Sequence, residues 1–232
     1  MKEGLRNKSL HLPYGPLYIA RSLIDAGYKV SIIYTDNETA LRTIYSLVSE
    51  DTVCFGMSTM SGTQLSNAIY LASVLKARYP KIPIIWGGVH VTALPEETLR
   101  SEFVDYIVWG EGENTVVQLI EKIISRDSLY GMKGIGFKEG KDVFIGKNSG
   151  YTPLNKIFKL PYHLLDMEQY ARKLIIGASR EFPLWASRGC PYRCRFCSNA
   201  SEAWPNTKVR NHTTEHVVND IKTLVNEYGA DL

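Results

Sequence analysis

The chain has 232 residues, and its 27 Lys and Arg stand against 24 Asp and Glu for a net charge of +3. Hydrophobic residues make up 44% and charged residues 22%, the balance of a soluble globular protein long enough for one large or two smaller domains. The basic residues are scattered, which argues against a nucleic-acid partner; no apolar run approaches the roughly 18–20 residues that span a bilayer, and residues 1–15 lack the apolar centre of a secretory signal.

Residues 1–13 make a poor strand, so the expectation is an α/β unit whose opening strand is missing or clipped. "PLYIARSLIDAG" puts Leu17, Ala20, Leu23 and Ile24 on one helical stripe and ends at Gly27, a C-cap residue. "YKVSIIY" (28–34), rich in β-branched residues, reads as a buried strand. "ETALRTIYSLVSE" (38–50) is helical with Leu41, Ile44, Tyr45 and Val48 in phase, and "TVCFGMS" (52–58) is a strand. "GTQLSNAIYLASVLKARYP" (62–80) is a long helix with Leu65, Ala68, Ile69, Ala72 and Leu75 on one face, stopped before Pro80. "IPIIWGG" (82–88) is a strand, "PEETLRS" (95–101) a short helix, "DYIVWGEGE" (105–113) a strand entering a loop, and "NTVVQLIEKIIS" (114–125) the last helix of the set. Repeated units of this length predict a Rossmann-like α/β domain, a parallel sheet covered on both faces. Ligands bind such sheets at the carboxyl ends of the strands. Those ends read "GMSTMSG", "WGGVH" and "WGEGE", small-residue loops that let backbone approach a ligand.

Beyond Arg126 the pattern changes. "GIGFKEGKDVFIG" (134–146) reads as a β-hairpin around Glu139-Gly140-Lys141. "YTPLNKIFKLPYHLLDMEQYA" (151–171) has two prolines and no steady period, and reads as a linker. "PLWASRG" (183–189) is a strand entering a cysteine loop. "TTEHVVNDIKTLVNEYG" (213–229) is an amphipathic helix with Val217, Ile221, Leu224, Val225 and Tyr228 in phase, capped by Thr213 or Thr214. One strand and one helix cannot bury a core alone, so this last unit is expected to be incomplete.

Three of the four cysteines, Cys190, Cys194 and Cys197, fall within the stretch "CPYRCRFC". An odd cluster does not make a disulfide framework, and a reducing, cytoplasmic location follows. The CxxxCxxC spacing suits one small metal centre. Zinc would need a fourth ligand, for which His212 is the candidate. A three-thiolate iron–sulfur cluster fits better, because it leaves one iron open for chemistry.

"CPYRCRFC", with Arg188-Gly189 before it, Phe196 within it and a βα setting around it, resembles the cluster motif of the radical S-adenosylmethionine enzymes. That resemblance implies a [4Fe–4S] cluster on Cys190, Cys194 and Cys197. It also implies S-adenosylmethionine chelated to the open iron and its one-electron cleavage to methionine and a 5′-deoxyadenosyl radical. Residues 13–125, through "PYGPLYIARSLIDAGYKV", "FGMSTMSG", "PIIWGGVH" and "YIVWGEGE", resemble the cobalamin-binding domain that precedes the radical domain in one subclass. The implied contacts to cobalamin are Tyr14, Gly15, Ser58, Thr59, Gly87, Gly88, Val89, His90, Gly110 and Glu111, with Phe196 as a further cofactor contact. Many such domains carry DxHxxG, whose His ligates cobalt. Aligned on Gly15, that motif places Leu12 at the His position and Leu10 at the Asp position, with His11 one residue off, so no His lower ligand is implied.

The expected organisation is thus a cobalamin-binding-like domain over 1–127, a hairpin and linker over 128–181, and the N-terminal part of a radical barrel over 182–232. The implied activity is methyl transfer, cyclisation or rearrangement of a small molecule, with flavodoxin or ferredoxin as electron donor. The alternative is a cobalamin or small-ligand binding module with an incomplete radical half. A third reading, a methylthiotransferase-like enzyme with a second N-terminal cluster, has only Cys54 to offer.

Several residues also have plainer readings. Cys54 suits a buried apolar role. Glu111 and Glu113 suit the positive end of the following helix as well as acid–base chemistry. Trp86 and Trp109 suit packing of strand ends, His90 a solvated loop, and Arg193 and Arg195 solvated loop charges.

Overall fold

The computed structural model describes residues 11–154, 159–172, 179–197 and 208–231. Its first element is helix α1 (Tyr14–Asp25), followed by α2 (Asn37–Leu47), whose N-cap Asp36 accepts from the Thr39 N–H at 3.0 Å. Strand β1 (Phe55–Ser58), α3 (Thr63–Arg78), β2 (Ile84–Gly87), two short helices α4 (Val89–Ala93) and α5 (Pro95–Leu99), β3 (Tyr106–Val108) and α6 (Glu113–Ser125) complete the alternating part. The order matches the expectation, except that α4 was not anticipated and residues 28–34 form no strand. A strand needs a ladder partner, and among the described residues β1 pairs only with β2. Of the segment read as too poor to form an opening strand, residues 1–10 lie outside the described residues.

β1, β2 and β3 are parallel, with Phe55 opposite Ile84 and Ile85 opposite Tyr106. The predicted hairpin is present as β4 (Ile135–Glu139) and β5 (Asp142–Ile145), joined through Gly140 and Lys141. It is not a separate appendage. β4 pairs antiparallel to β3, so the hairpin extends the same sheet to five strands in the order β1-β2-β3-β4-β5.

Period-two alternation sends the strand side chains to two cores. Ile84, Trp86 and Ile107 face a core with Ala68, Ala72 and Leu75 of α3, Val91 and Leu99. Ile85, Val108, Ile135 and Phe137 face the other side, against Val116, Leu119 and Ile120 of α6 and the Ile19 and Leu23 edge of α1. Trp86 is fully buried and Trp109 packs on the first core, the structural role read for both. Burial also pushes the Cys54 thiol up to about 11, in keeping with an apolar packing role.

The stretch read as a linker is packed. Leu160, Tyr162, Met167 and Tyr170 are buried with Leu12, Tyr14, Leu17 and Tyr18 on one side and Phe182 and Leu224 on the other. This third core joins α1 to the C-terminal unit. That unit holds a short antiparallel ladder, β6 (Ser187–Arg188) with β7 (Arg210–Asn211), and helix α7 (Thr214–Tyr228). Thr213 caps α7 by accepting from the His216 N–H at 3.2 Å, and Gly229 ends it in the left-handed region.

The face α7 buries is not the apolar one. His216, Asp220 and Leu224 point inward, whereas Val218, Ile221 and Val225 are exposed. Only Leu224 and the half-buried Tyr228 of the expected stripe meet the core.

Because residues 159–171 are core rather than tether, Leu160→Ala should cost about 2–5 kcal/mol of unfolding free energy, as Leu119→Ala should in the sheet core. Chemical denaturation of both variants checks this; a Leu160 variant as stable as wild type would return the stretch to a linker.

Candidate functional site

The carboxyl ends of β1, β2 and β3 are tied together by two buried threonines. Thr59 donates its N–H at 2.9 Å and its hydroxyl at 3.0 Å to the Gly87 carbonyl, joining the ends of β1 and β2. Thr92, which no motif or period singles out, donates to the Gly88 carbonyl at 2.9 Å and accepts from the Gly110 N–H at 3.0 Å, joining β2 to the β3 turn. Gly88 has φ +99, and a Cβ there would lie 2.5 Å from the Thr59 carbonyl oxygen, so only glycine fits. His90 is half-buried at the start of α4. Its N–H reaches the Thr59 carbonyl at 3.2 Å, and its Nδ1 is 3.0 Å from Ser61 Oγ. Gly15, Ser58, Gly88 and Val89 are exposed on this rim, while Thr59 and Glu111 are buried beneath it.

Tyr14 is buried. Its hydroxyl donates to the Pro183 carbonyl and its ring stacks on Trp185 at 4.6 Å, so its side chain joins the third core. Leu12 is buried in that same core and His11 is exposed.

Glu113 is the first residue of α6, where a carboxylate suits the positive end of the helix, but neither it nor Glu111 makes a side-chain cap bond there. They meet two arginines instead. Arg210 makes a two-ended pair with Glu111, Nη2 to Oε1 and Nη1 to Oε2 at 3.1 Å, and also donates to the Thr152 carbonyl at 3.0 Å. Arg188 donates through Nη1 to Glu113 Oε1 and lies 3.9 Å from Glu111. Its Nε and Nη2 have no partner among the described residues, so this pairing is one-ended. Thr152 completes the set, giving its N–H to Glu111 at 2.7 Å and its hydroxyl to Glu113 at 3.1 Å. Burial disfavours the charge on Arg188, but Glu113 and Glu111 outweigh it and raise its pKa above the ordinary guanidinium value.

Each guanidinium also covers an aromatic ring, Arg188 over Tyr18 at 3.9 Å and Arg210 over Tyr151 at 4.1 Å. The Tyr18 hydroxyl is 3.1 Å from His212 Nε2, and His212 stacks on His216 at 4.2 Å. His216 lies 3.8 Å from Asp220, which accepts from the Tyr162 hydroxyl at 3.2 Å. Burial, then His216 and Arg188, lowers His212 to about 4, and burial raises Asp220 above the usual carboxylate value. His212 is therefore a neutral ring in a packed network.

The three cysteines follow directly from β6. Cys190 and Cys197 are half-buried and Cys194 is exposed; all are free thiols, and the Cys197 N–H donates to the Cys194 carbonyl at 2.9 Å. Among the described residues no three His, Cys, Asp or Glu side chains stand close enough together to hold a metal ion. The donor set itself suits an iron–sulfur cluster: three thiols on one accessible loop, none of them paired in a disulfide. The flanking Arg193, Arg195 and Phe196 are exposed.

Residues 6–120 match the B12 binding domain family. The chain is 30% identical over 94% of its length to an uncharacterized methyltransferase of Pyrococcus horikoshii, covering 46% of that protein. These matches bear out the resemblance to the cobalamin-binding radical S-adenosylmethionine family. Among other relatives of this family, the anaerobic magnesium-protoporphyrin IX monomethyl ester cyclase of Synechocystis is 28% identical over 80% of the chain and 37% of the cyclase. The fold is that of the cobalamin-dependent S-adenosylmethionine radical enzyme OxsB, solved with aqua-cobalamin and S-adenosylmethionine bound. The TM-score is 0.73 at 18% identity, over 95% of this chain and 30% of OxsB. The chain thus spans less than half the length of these relatives. Among the described residues no helix is long and apolar enough to cross a membrane.

Between the ordinary histidine value of about 6.5 and about 4, the unfolded chain binds a proton at His212 that the folded chain refuses. The stability contribution of this ring is present at neutral pH and lost as pH falls through that window. The difference in Tm between wild type and His212→Gln should therefore move in favour of the variant from pH 7 to pH 4; a constant difference would mean the ring titrates normally.

Proposed function

We propose that this chain supplies the cobalamin-binding domain and the cysteine loop of an enzyme that cleaves S-adenosylmethionine reductively. Methyl transfer, cyclisation or rearrangement of a small molecule would follow. The observation that carries the reading is a juxtaposition. The strand that delivers Cys190 is held by Arg188 to the turn after β3, beside the small-residue rim formed by the ends of β1 and β2. The names of the relatives, a methyltransferase and a cyclase, support the reaction class.

In this reading Cys190, Cys194 and Cys197 hold a [4Fe–4S] cluster, and Phe196 flanks it. When bound, the cluster supplies one electron at an iron that no protein residue ligates. Gly15, Ser58, Thr59, Gly87, Gly88, Val89, His90 and Gly110 form the cobalamin rim, with Tyr14 and Glu111 behind it. Gly88 lets the loop after β2 pack against the Thr59 backbone, Thr59 and Thr92 hold that loop, and Ser61 orients the His90 ring. Leu12 and the exposed His11 supply no lower ligand, so cobalamin would bind without one from this segment. A flavodoxin- or ferredoxin-like donor in the cytoplasm would deliver the electron to the exposed side of the cysteine loop.

Anaerobic incubation with iron and sulfide should load wild type with one cluster per chain, and Cys194→Ala should lose most of its absorbance and bound iron. Hydroxocobalamin should bind wild type, and Gly88→Val should weaken that binding by about tenfold or more, a loss of ~1.4 kcal/mol. Cobalamin binding with no cluster in wild type would favour the binding-module reading; neither ligand binding would end both.

A further inference from the structure

The cysteine loop has little burial of its own. Residues 191–196 are all exposed. Its placement therefore depends on how it leaves β6, and that exit is fixed from three sides. Gly189, between Arg188 and Cys190, has φ +100, and a Cβ there would lie 2.3 Å from the Lys208 carbonyl oxygen, so the segment entering β7 presses directly on the exit. Arg188 pairs with Glu113 on the turn after β3 while its guanidinium rests on Tyr18 of α1. Tyr18 in turn holds His212, the residue that follows β7. Arg210 anchors the second strand of the ladder to Glu111 on the same turn.

We propose that Arg188 is a positioning residue: through Glu113 and Tyr18 it fixes where the cysteine loop stands relative to the carboxyl ends of β1–β3, with Arg210 and Glu111 as the second anchor. The purpose of this clamp rests on the reading of Cys190, Cys194 and Cys197 as cluster ligands, but its mechanical action does not. The set is electrically balanced, two carboxylates against two guanidiniums, with side chains 5–7% exposed for the glutamates and 12–22% for the arginines. Removing one partner strands a buried charge, and the weakly packed loop is the part best able to move in response.

The test is site-resolved alkylation of the full chain without iron, under anaerobic conditions, with N-ethylmaleimide and mass spectrometry. In wild type Cys194 should react fastest, Cys190 and Cys197 more slowly, and Cys54 slowest. Arg188→Met and Glu113→Gln should raise the Cys190 rate by about tenfold or more while leaving Cys54 unchanged. Arg188→Lys, which keeps the one-ended pair but not the stacked guanidinium, should fall between wild type and Arg188→Met. An unchanged Cys190 rate, or a Cys54 rate that rises in step with it, overturns the clamp. After loading with iron and sulfide, the cluster of Glu113→Gln should differ from wild type in its electron paramagnetic resonance g-values and reduction potential. Identical clusters overturn positioning of the cluster by this pair. A wild type that takes up no cluster overturns the cluster reading itself, while the alkylation rates still decide the clamp.

Discussion

Two carboxylates on one turn and two guanidiniums on one short ladder meet out of solvent, and the arrangement of the two halves depends on that meeting. Exposed pairs elsewhere, such as Arg42 with Glu38 and Arg100 with Glu96, are worth about 0–1 kcal/mol in water. The buried set is different in kind. Its charges have left water, so each depends on its partner, and losing one partner costs about 3–5 kcal/mol. Thr152, at the start of the stretch read as a linker, bonds to both carboxylates. Three otherwise separate regions thus share one polar centre.

Around that centre the packing is apolar where geometry is free and polar where position matters. α1 serves both halves. Ile19 and Leu23 face the sheet, while Leu17 and Tyr18 face the core shared with Leu160, Tyr162 and Leu224. The threonine ties at the strand ends hold the small-residue rim in one shape, so flexible glycines there do not mean a flexible loop.

Helix α7 turns this logic outward. It buries Asp220, which accepts from the Tyr162 hydroxyl, and His216, whose ring stacks on His212 while its Nε2 has no hydrogen-bond partner among the described residues. The consequence is that Ile221 and Val225, in phase with the expected core stripe, stand exposed. Periodicity identified the helix and its ends correctly and assigned it the wrong inner face, because hydrophobic phase carries no information about which polar partners lie opposite.

The sequence by itself determined most of the element order, the hairpin, the caps of α7, the small-residue rim and the three-cysteine loop. Each of these is local: periodicity, capping and close spacing act over a few residues. It also carried the family resemblance, through motifs written in consecutive residues. Only the tertiary structure decided that the hairpin joins the sheet, that residues 159–171 are core, and that Glu111 and Glu113 meet arginines. Arg188 is 75 residues from Glu113 and Arg210 is 99 from Glu111. A pairing at such separation is set by how folded elements converge, and that leaves no period or spacing along the chain.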